Sequence, residues 1–245
     1  MNTDRPIALV TGASSGIGEA IARTLVDNHY FVIGTSRLEG PLKPLQDALS
    51  DRFLPVTLDV TSDESVKTLL DRLPDEWQAI DVLVNNAGHD VGGRRRFDEG
   101  DIAQWLDIIQ TNVSGMVRVS HQVIAKMVAR NAGHIVNMGS VAGLQGYGSG
   151  SLYSASKHAV HGFSESLRMD FANSGIRVTE ILPGLVKTRF AENRFSYEAG
   201  AADKAEAFYK DFGHWLEPQD IAETVLFALQ QPPHVTISQL VVVPS

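Results

Sequence analysis

Short apolar runs alternate with longer stretches of helical periodicity from one end of this chain to the other, and that rhythm constrains the fold more than any single residue does. Residues 7–10, 31–33, 53–58, 80–84, 134–138, 177–182 and 240–243 are strand-like. Between them, 17–27 places Ile21, Ala22 and Leu25 on one helical stripe, and 63–73 is amphipathic. A long helical region covers 101–130 and ends at Asn131-Ala132-Gly133, a helix stop. Helices are also expected over 151–172 and from the Glu217-Pro218-Gln219-Asp220 opening to residue 230. No repeat, low-complexity segment or linker interrupts the series. The expectation is an α/β fold: one doubly wound parallel sheet of seven strands with helices on both faces, in a single domain over 1–245.

In such a sheet, of the Rossmann type, ligands bind at the carboxyl ends of the strands where the strand order reverses, so the first strand-to-helix turn is the place to look. It reads Thr11-Gly12-Ala13-Ser14-Ser15-Gly16-Ile17-Gly18. Glycines allow a tight turn and close backbone approach to a pyrophosphate, and the following helix offers unpaired amides and the positive end of its dipole. The composition narrows the partners. Hydrophobic residues make up 43% and charged residues 20%, a globular balance, and the net charge of −8 disfavours nucleic acid and anionic membranes. There is no Cys, which removes disulfides, thiolate metal sites and cysteine nucleophiles and suits a reducing cytoplasm. The opening Met1 to Pro6 carries no apolar signal core, and no apolar run has the length of a bilayer span.

Ser151-Leu152-Tyr153-Ser154-Ala155-Ser156-Lys157 sets a phenol and an ammonium one helical turn apart on one face. A neighbouring cation favours phenolate and lowers the tyrosine pKa, which would let the pair exchange a proton with an alcohol or a carbonyl. Taken alone, the same spacing also fits an ordinary amphipathic helix.

The motifs in order resemble the short-chain dehydrogenase/reductase family of about 250 residues over essentially the whole length. The matching marks are the Thr11–Gly18 turn, Leu58-Asp59-Val60, Asn85-Asn86-Ala87-Gly88, Asn112, Ser140, Tyr153 with Lys157, and Pro183-Gly184. The resemblance implies a catalytic set of four. Tyr153 would be the general acid and base, Ser140 would hold the reacting oxygen, and Lys157 would hydrogen-bond the nicotinamide ribose and tune the phenol. Asn112, at a kink in its helix, would hold a water that links Lys157 to solvent. It also implies a coenzyme site: Gly12, Ser14, Ser15, Gly16, Ile17 and Gly18 at the pyrophosphate, Asp59 and Val60 at the adenine. Asn86, Ala87 and Gly88 would line the adenosine ribose. Past Pro183 and Gly184, the Val186 backbone and the Thr188 hydroxyl would hold the carboxamide. Separately, Ser140 and Asn112 fit a cap or a satisfied core polar group, and Pro183 a strand terminator.

After the second strand stand Ser36 and Arg37, where an NAD enzyme needs a carboxylate for the ribose hydroxyls. A hydroxyl and a guanidinium suit a 2′-phosphate, so the expected cofactor is NADP(H), with Arg37 as a solvated helix-start charge the alternative. Within the family the chain is similar to bacterial NADP-dependent 3-hydroxy acid (serine) dehydrogenases, on the run from Tyr147 to Tyr153, Pro183 to Val186, Arg194-Phe195 and Pro233-His234-Val235 with Ile237. The loop from His89 to Arg96 departs from that group. Arg94, Arg95, Arg96 and Arg194 could grip a carboxylate or sulfonate, or the triple run could be a solvated loop. Residues 190–213 would form a substrate lid.

The function expected is an NADP(H)-dependent oxidoreductase that interconverts a small-molecule alcohol, such as a 3-hydroxy acid, and its carbonyl. Alternatives are 3-oxoacyl-carrier-protein or sugar reduction in the same family, and a catalytically silent NADP-sensing or scaffold protein. No metal is expected, although His158, His161 and Glu165 share a helical face. A homotetramer or homodimer in the cytoplasm is expected, with no nucleic-acid or membrane partner.

Overall fold

The computed structural model describes residues 5–245. The first four residues, which belong to the stretch inspected for a leader, lie outside them. Each of the seven apolar runs is a strand: β1 (Ile7–Thr11), β2 (Phe31–Ser36), β3 (Phe53–Thr57), β4 (Val82–Asn85), β5 (Gly133–Met138), β6 (Ile176–Pro183) and β7 (Gln239–Val242). They form one parallel sheet in the order β3-β2-β1-β4-β5-β6-β7. The period-2 alternation of a strand sends Ala8 and Val10 to one face, against Ile21, Leu25 and Val225, and Ile7 and Leu9 to the other, against Val119, Val123 and Met127. Both faces are therefore covered. This is why the strands read as continuous apolar runs rather than as polar and apolar in turn.

Helices α1 (Gly16–Asp27) and α2 (Lys43–Leu49) precede α3 (Asp63–Lys67), which a 3₁₀ turn at Leu70–Arg72 follows. The sequence reading left α2 out: it is short, and Pro44 sits in its first turn, where the missing N–H costs nothing. The long region over 101–130 is α4 (Ile102–Ile109) and α5 (Met116–Arg130), joined through a π-helical stretch at Gln110–Gly115. Asn112 lies in that stretch, so the expected kink takes the form of a local widening of the helix. Helix α6 (Ser151–Asp170) carries Tyr153 and Lys157. The expected lid contains α7 (Phe190–Arg194) and α8 (Ala201–Phe212), packed on a small apolar cluster of Ala191, Ala205, Phe208 and Tyr209 separate from the two cores of the sheet. Helix α9 (Pro218–Leu229) opens with a capping box between Glu217 and Asp220, as its sequence predicts. No helix among the described residues is long and apolar enough to cross a membrane.

Strand order reverses between β1 and β4, so the loops after these strands diverge and leave a crevice at their carboxyl ends. The candidate site occupies it.

Candidate active site

A cavity of about 920 Å³ runs along the carboxyl edge of the sheet, and of the catalytic and coenzyme residues expected above all line it except Gly18 and Asn112. Its first half is built where β1 meets β4. The Thr11 hydroxyl accepts the amides of Asn86 and Ala87, each at 3.0 Å, and the Asn86 carboxamide donates to the carbonyls of Thr11 at 2.9 Å and Gly12 at 3.2 Å. These bonds pin the glycine turn to the sheet centre. Gly12 and Gly16 take φ of +67° and +57°, which a side chain would resist. Gly18 serves packing instead: a Cβ there would lie 2.2 Å from the Gly12 carbonyl oxygen, so the helix could not seat on the turn.

The start of α1 faces the cavity with Ser15 at its N-cap, and that side chain makes no capping bond. First-turn amides and the Ser14 and Ser15 hydroxyls are thus available to an anion. At the end of β2 the Ser36 hydroxyl donates to the Leu38 carbonyl, while Arg37 is exposed and has no hydrogen bond or ion pair to an acid among the described residues. Asp59 accepts the amide of Thr61 at 2.9 Å and its hydroxyl at 2.7 Å, which fixes the carboxylate beside Val60. Uncapped amides, a close-packed glycine turn and an unpaired guanidinium past β2 together fit a phosphorylated dinucleotide. The carboxylate that would repel a 2′-phosphate is absent from positions 36 and 37.

The second half gathers the proposed chemistry. The Ser140 hydroxyl caps the turn after β5, accepting the Ala142 amide at 3.1 Å and donating to the Pro183 carbonyl at 3.4 Å, and its proximity to the Tyr153 phenol favours the phenolate. The Tyr153 ring meets Phe190 edge-on, with centroids 5.7 Å apart. Burial nevertheless pushes this phenol well above its usual range, with Asp90 and then Tyr147 adding to the rise. The Lys157 ammonium lies 5.7 Å from the Tyr153 ring centroid and donates at 2.8 Å to the Met138 carbonyl. Burial brings Lys157 itself down to about 8, with Glu180 and Asp90 opposing the fall.

Asn112 stands behind the cavity. Its carbonyl oxygen accepts the His89 amide at 2.9 Å, and its NH₂ donates to the His89 carbonyl at 3.0 Å and to Ser156 Oγ at 3.1 Å. It ties the loop after β4 to α6. Past Pro183 and Gly184, the strap carrying Val186 and Thr188 is held by a residue that the sequence reading missed. The Tyr209 hydroxyl accepts the Thr188 amide at 3.1 Å and faces the carbonyls of Val186 and Thr188 at 3.1 and 3.0 Å.

The arginines separate once folded. Arg95 pairs with Glu198 at 3.1 Å and Arg96 with Asp98 at 2.5 Å, so two of the three basic charges in the run are met by acids. Arg194 is buried and its Nε donates to Asp90 Oδ2 at 2.8 Å. Burial brings the Asp90 carboxyl up to about 6 although Arg194 opposes the rise. Asp90 is a further residue whose importance spacing could not disclose, since its partner Arg194 lies far along the chain. His161 Nδ1 lies 2.8 Å from the buried carboxylate of Glu180, and the His158 ring faces the Ser154 carbonyl at 2.9 Å. Among the described residues no group of three or more His, Cys, Asp or Glu is placed to hold a metal ion.

Residues 6–199 match a family model described as short chain dehydrogenase. A Salmonella typhi protein, an NADP-dependent 3-hydroxy acid dehydrogenase, is 40% identical over 97% of this chain and 94% of its own. A sulfoacetaldehyde reductase of Chromohalobacter salexigens is 38% identical over 98% of this chain and 94% of its own. The solved closed form of a serine dehydrogenase complexed with NADP+ superposes with a TM-score of 0.92 at 39% identity, covering 96% of this chain and 94% of that one.

Proposed function

The chain belongs to the short-chain dehydrogenase family, and on that premise we propose how its residues divide the work of an oxidoreductase. It uses NADP(H) to interconvert an alcohol of the 3-hydroxy acid type and its carbonyl. The observation that carries the catalytic assignment is that Ser140, Tyr153 and the buried Lys157, one turn along α6, line one cavity with the glycine turn.

When bound, the coenzyme supplies or accepts the hydride. Tyr153 keeps its proton at neutral pH because burial raises its pKa, so it stands ready to donate to the oxygen of a carbonyl under reduction and to take a proton back in the reverse sense. Ser140 donates to the same oxygen and holds it in reach of the phenol. Lys157 is oriented by the Met138 carbonyl and would hydrogen-bond the ribose hydroxyls with its other protons. Asn112 fixes the π-helical stretch against His89 and Ser156 and would seat the water that leads from Lys157 to solvent.

For the coenzyme, Gly12, Ser14, Ser15, Gly16 and Ile17 would hold the pyrophosphate, with Gly18 keeping the turn closed. Asp59 and Val60 would receive the adenine, and Asn86, Ala87 and Gly88 its ribose. Pro183, Gly184, Val186 and Thr188 would position the carboxamide, and Ser36 with Arg37 the 2′-phosphate. Residues 190–213 would act as a lid within a single domain. Supporting a cytoplasmic homodimer or homotetramer are the absence of Cys and the exposed Ile102, Leu106 and Val117 along α4 and α5.

The test is loss of reduced-nicotinamide absorbance with NADPH and NADH against 3-oxo acids and small aldehydes. NADPH is expected to be preferred, and Arg37→Ala to narrow the preference by about tenfold or more, the effect of one charge-assisted phosphate contact. An unchanged ratio in that variant would remove Arg37 from the phosphate site.

A further inference from the structure

The substrate end of the cavity holds more positive charge than its own acids neutralise. Two arginines and one carboxylate meet there: Asp90 is taken by Arg194, whose Nε lies 2.8 Å away, and the Arg194 guanidinium is further covered by the rings of Phe190 at 5.4 Å and Phe208 at 5.0 Å. Arg94 is left over. Its guanidinium lies 4.9 Å from the Phe208 ring, 5.5 Å from Tyr147 and 5.7 Å from Phe212, and it has no hydrogen bond or salt bridge among the described residues. One of the rings that frame it carries a second free group, for the Tyr147 hydroxyl is buried without a hydrogen-bond partner. A buried hydroxyl left unpaired costs about 1–3 kcal/mol, so folding alone does not account for it.

The three charges sum to one positive, the phenol adds a neutral donor, and both line the cavity that Tyr153 and Ser140 share. We propose that Arg94 and Tyr147 form the anchor for the acid group of the substrate, an oxyanion of the carboxylate or sulfonate class. Arg194 is a positioning residue whose charge Asp90 has already met, and it holds the loop after β4 to α7 through that pair and through its carbonyl, which accepts the Gly92 amide at 3.2 Å. Arg94 is exposed at the cavity, where it offers the charge-assisted bond with its guanidinium set beside three aromatic faces. The anchor rests on the carbonyl-reductase reading above and deepens it, by giving the acid group of the substrate one place in the cavity.

Arg94 has φ of +63°, so Arg94→Gly removes the cation while suiting the backbone, and Arg94→Lys keeps the charge without the fork. The experiment compares kcat/KM with NADPH for 3-oxopropanoate, its methyl ester and 2-oxoethanesulfonate. Arg94→Gly is expected to lower the acid-to-ester ratio by about tenfold or more, Arg94→Lys by less, and Tyr147→Phe by about threefold. Sulfonate and carboxylate falling together show a site that reads charge; carboxylate falling alone identifies the carboxylate as its ligand. An acid-to-ester ratio unmoved in Arg94→Gly overturns the anchor. A second arm, calorimetric binding of malonate to the chain with NADP+, needs no turnover: weaker binding in Arg94→Gly supports the anchor and equal binding overturns it. If the wild-type chain reduces neither acid nor ester, the reaction assigned above fails while the malonate arm still decides the anchor.

Discussion

The two ends of the cavity are built in different ways. At the proposed coenzyme end the groups are backbone amides and short side chains at strand ends, tied across the sheet by Thr11 and Asn86. At the substrate end they are long side chains from a loop and two small helices, joined over large sequence distances: Asp90 to Arg194 and Arg95 to Glu198. The first end is fixed by the fold. The second is assembled by side chains, and it leaves Asp90 Oδ1 and the Tyr147 hydroxyl buried without partners. Chemistry that every member of such a fold must perform can live in strand ends. Selection among substrates requires parts that change without disturbing them.

The sharpest break of this contrast is Tyr153→Phe. Loss of one positioned proton donor is expected to lower kcat by about a thousandfold, with the dissociation constant for NADPH held within a few fold. Turnover and coenzyme titration on the same sample separate the two. A comparable loss in both would mean that α6 serves the coenzyme end as much as the chemistry.

Next in size is Asp90, whose buried carboxyl rises from 3.8 to about 6. The folded chain holds that proton more tightly than the unfolded chain does. Its contribution to stability is therefore complete below 3.8 and is lost as pH rises through about 6, amounting to about 3 kcal/mol at most. Asp90→Asn removes the titration, so the stability of this variant relative to wild type should climb across that window in denaturant melts. A flat difference would place the carboxyl in contact with solvent. The smallest effect is expected at Arg95→Gln, which opens a partly exposed pair with Glu198 and should cost no more than about 1 kcal/mol. A larger loss would show that residues 190–213 depend on their rim and not on Asp90 and Arg194.

The parallel sheet, its strand positions and the glycine turn were legible because burial on both faces leaves an unbroken apolar signature and because the turn needs glycine at fixed steps. Tyr153, Ser140 and Lys157 were legible as a set, since each belongs to a local motif at a strand end or along one helix. Their electrostatics were not. Spacing put an ammonium near a phenol, and only the folded chain adds that the ammonium donates one proton to the Met138 carbonyl and that burial raises the phenol. Helix α2 escaped because seven residues opening near a proline carry little periodicity. Asp90 and Tyr209 escaped for a different reason. Each is unremarkable among its neighbours in sequence and acquires meaning from a partner that the fold delivers from elsewhere.

Tyr209 has one hydroxyl proton and two carbonyls to serve, those of Val186 and Thr188, while it receives the amide of Thr188. At any instant one of the two oxygens goes without. The strap is tethered by a bond that can change hands, so a newcomer with an N–H to offer can claim the idle oxygen and the tether simply moves to the other. A segment held this way stays in register while its guests arrive and depart.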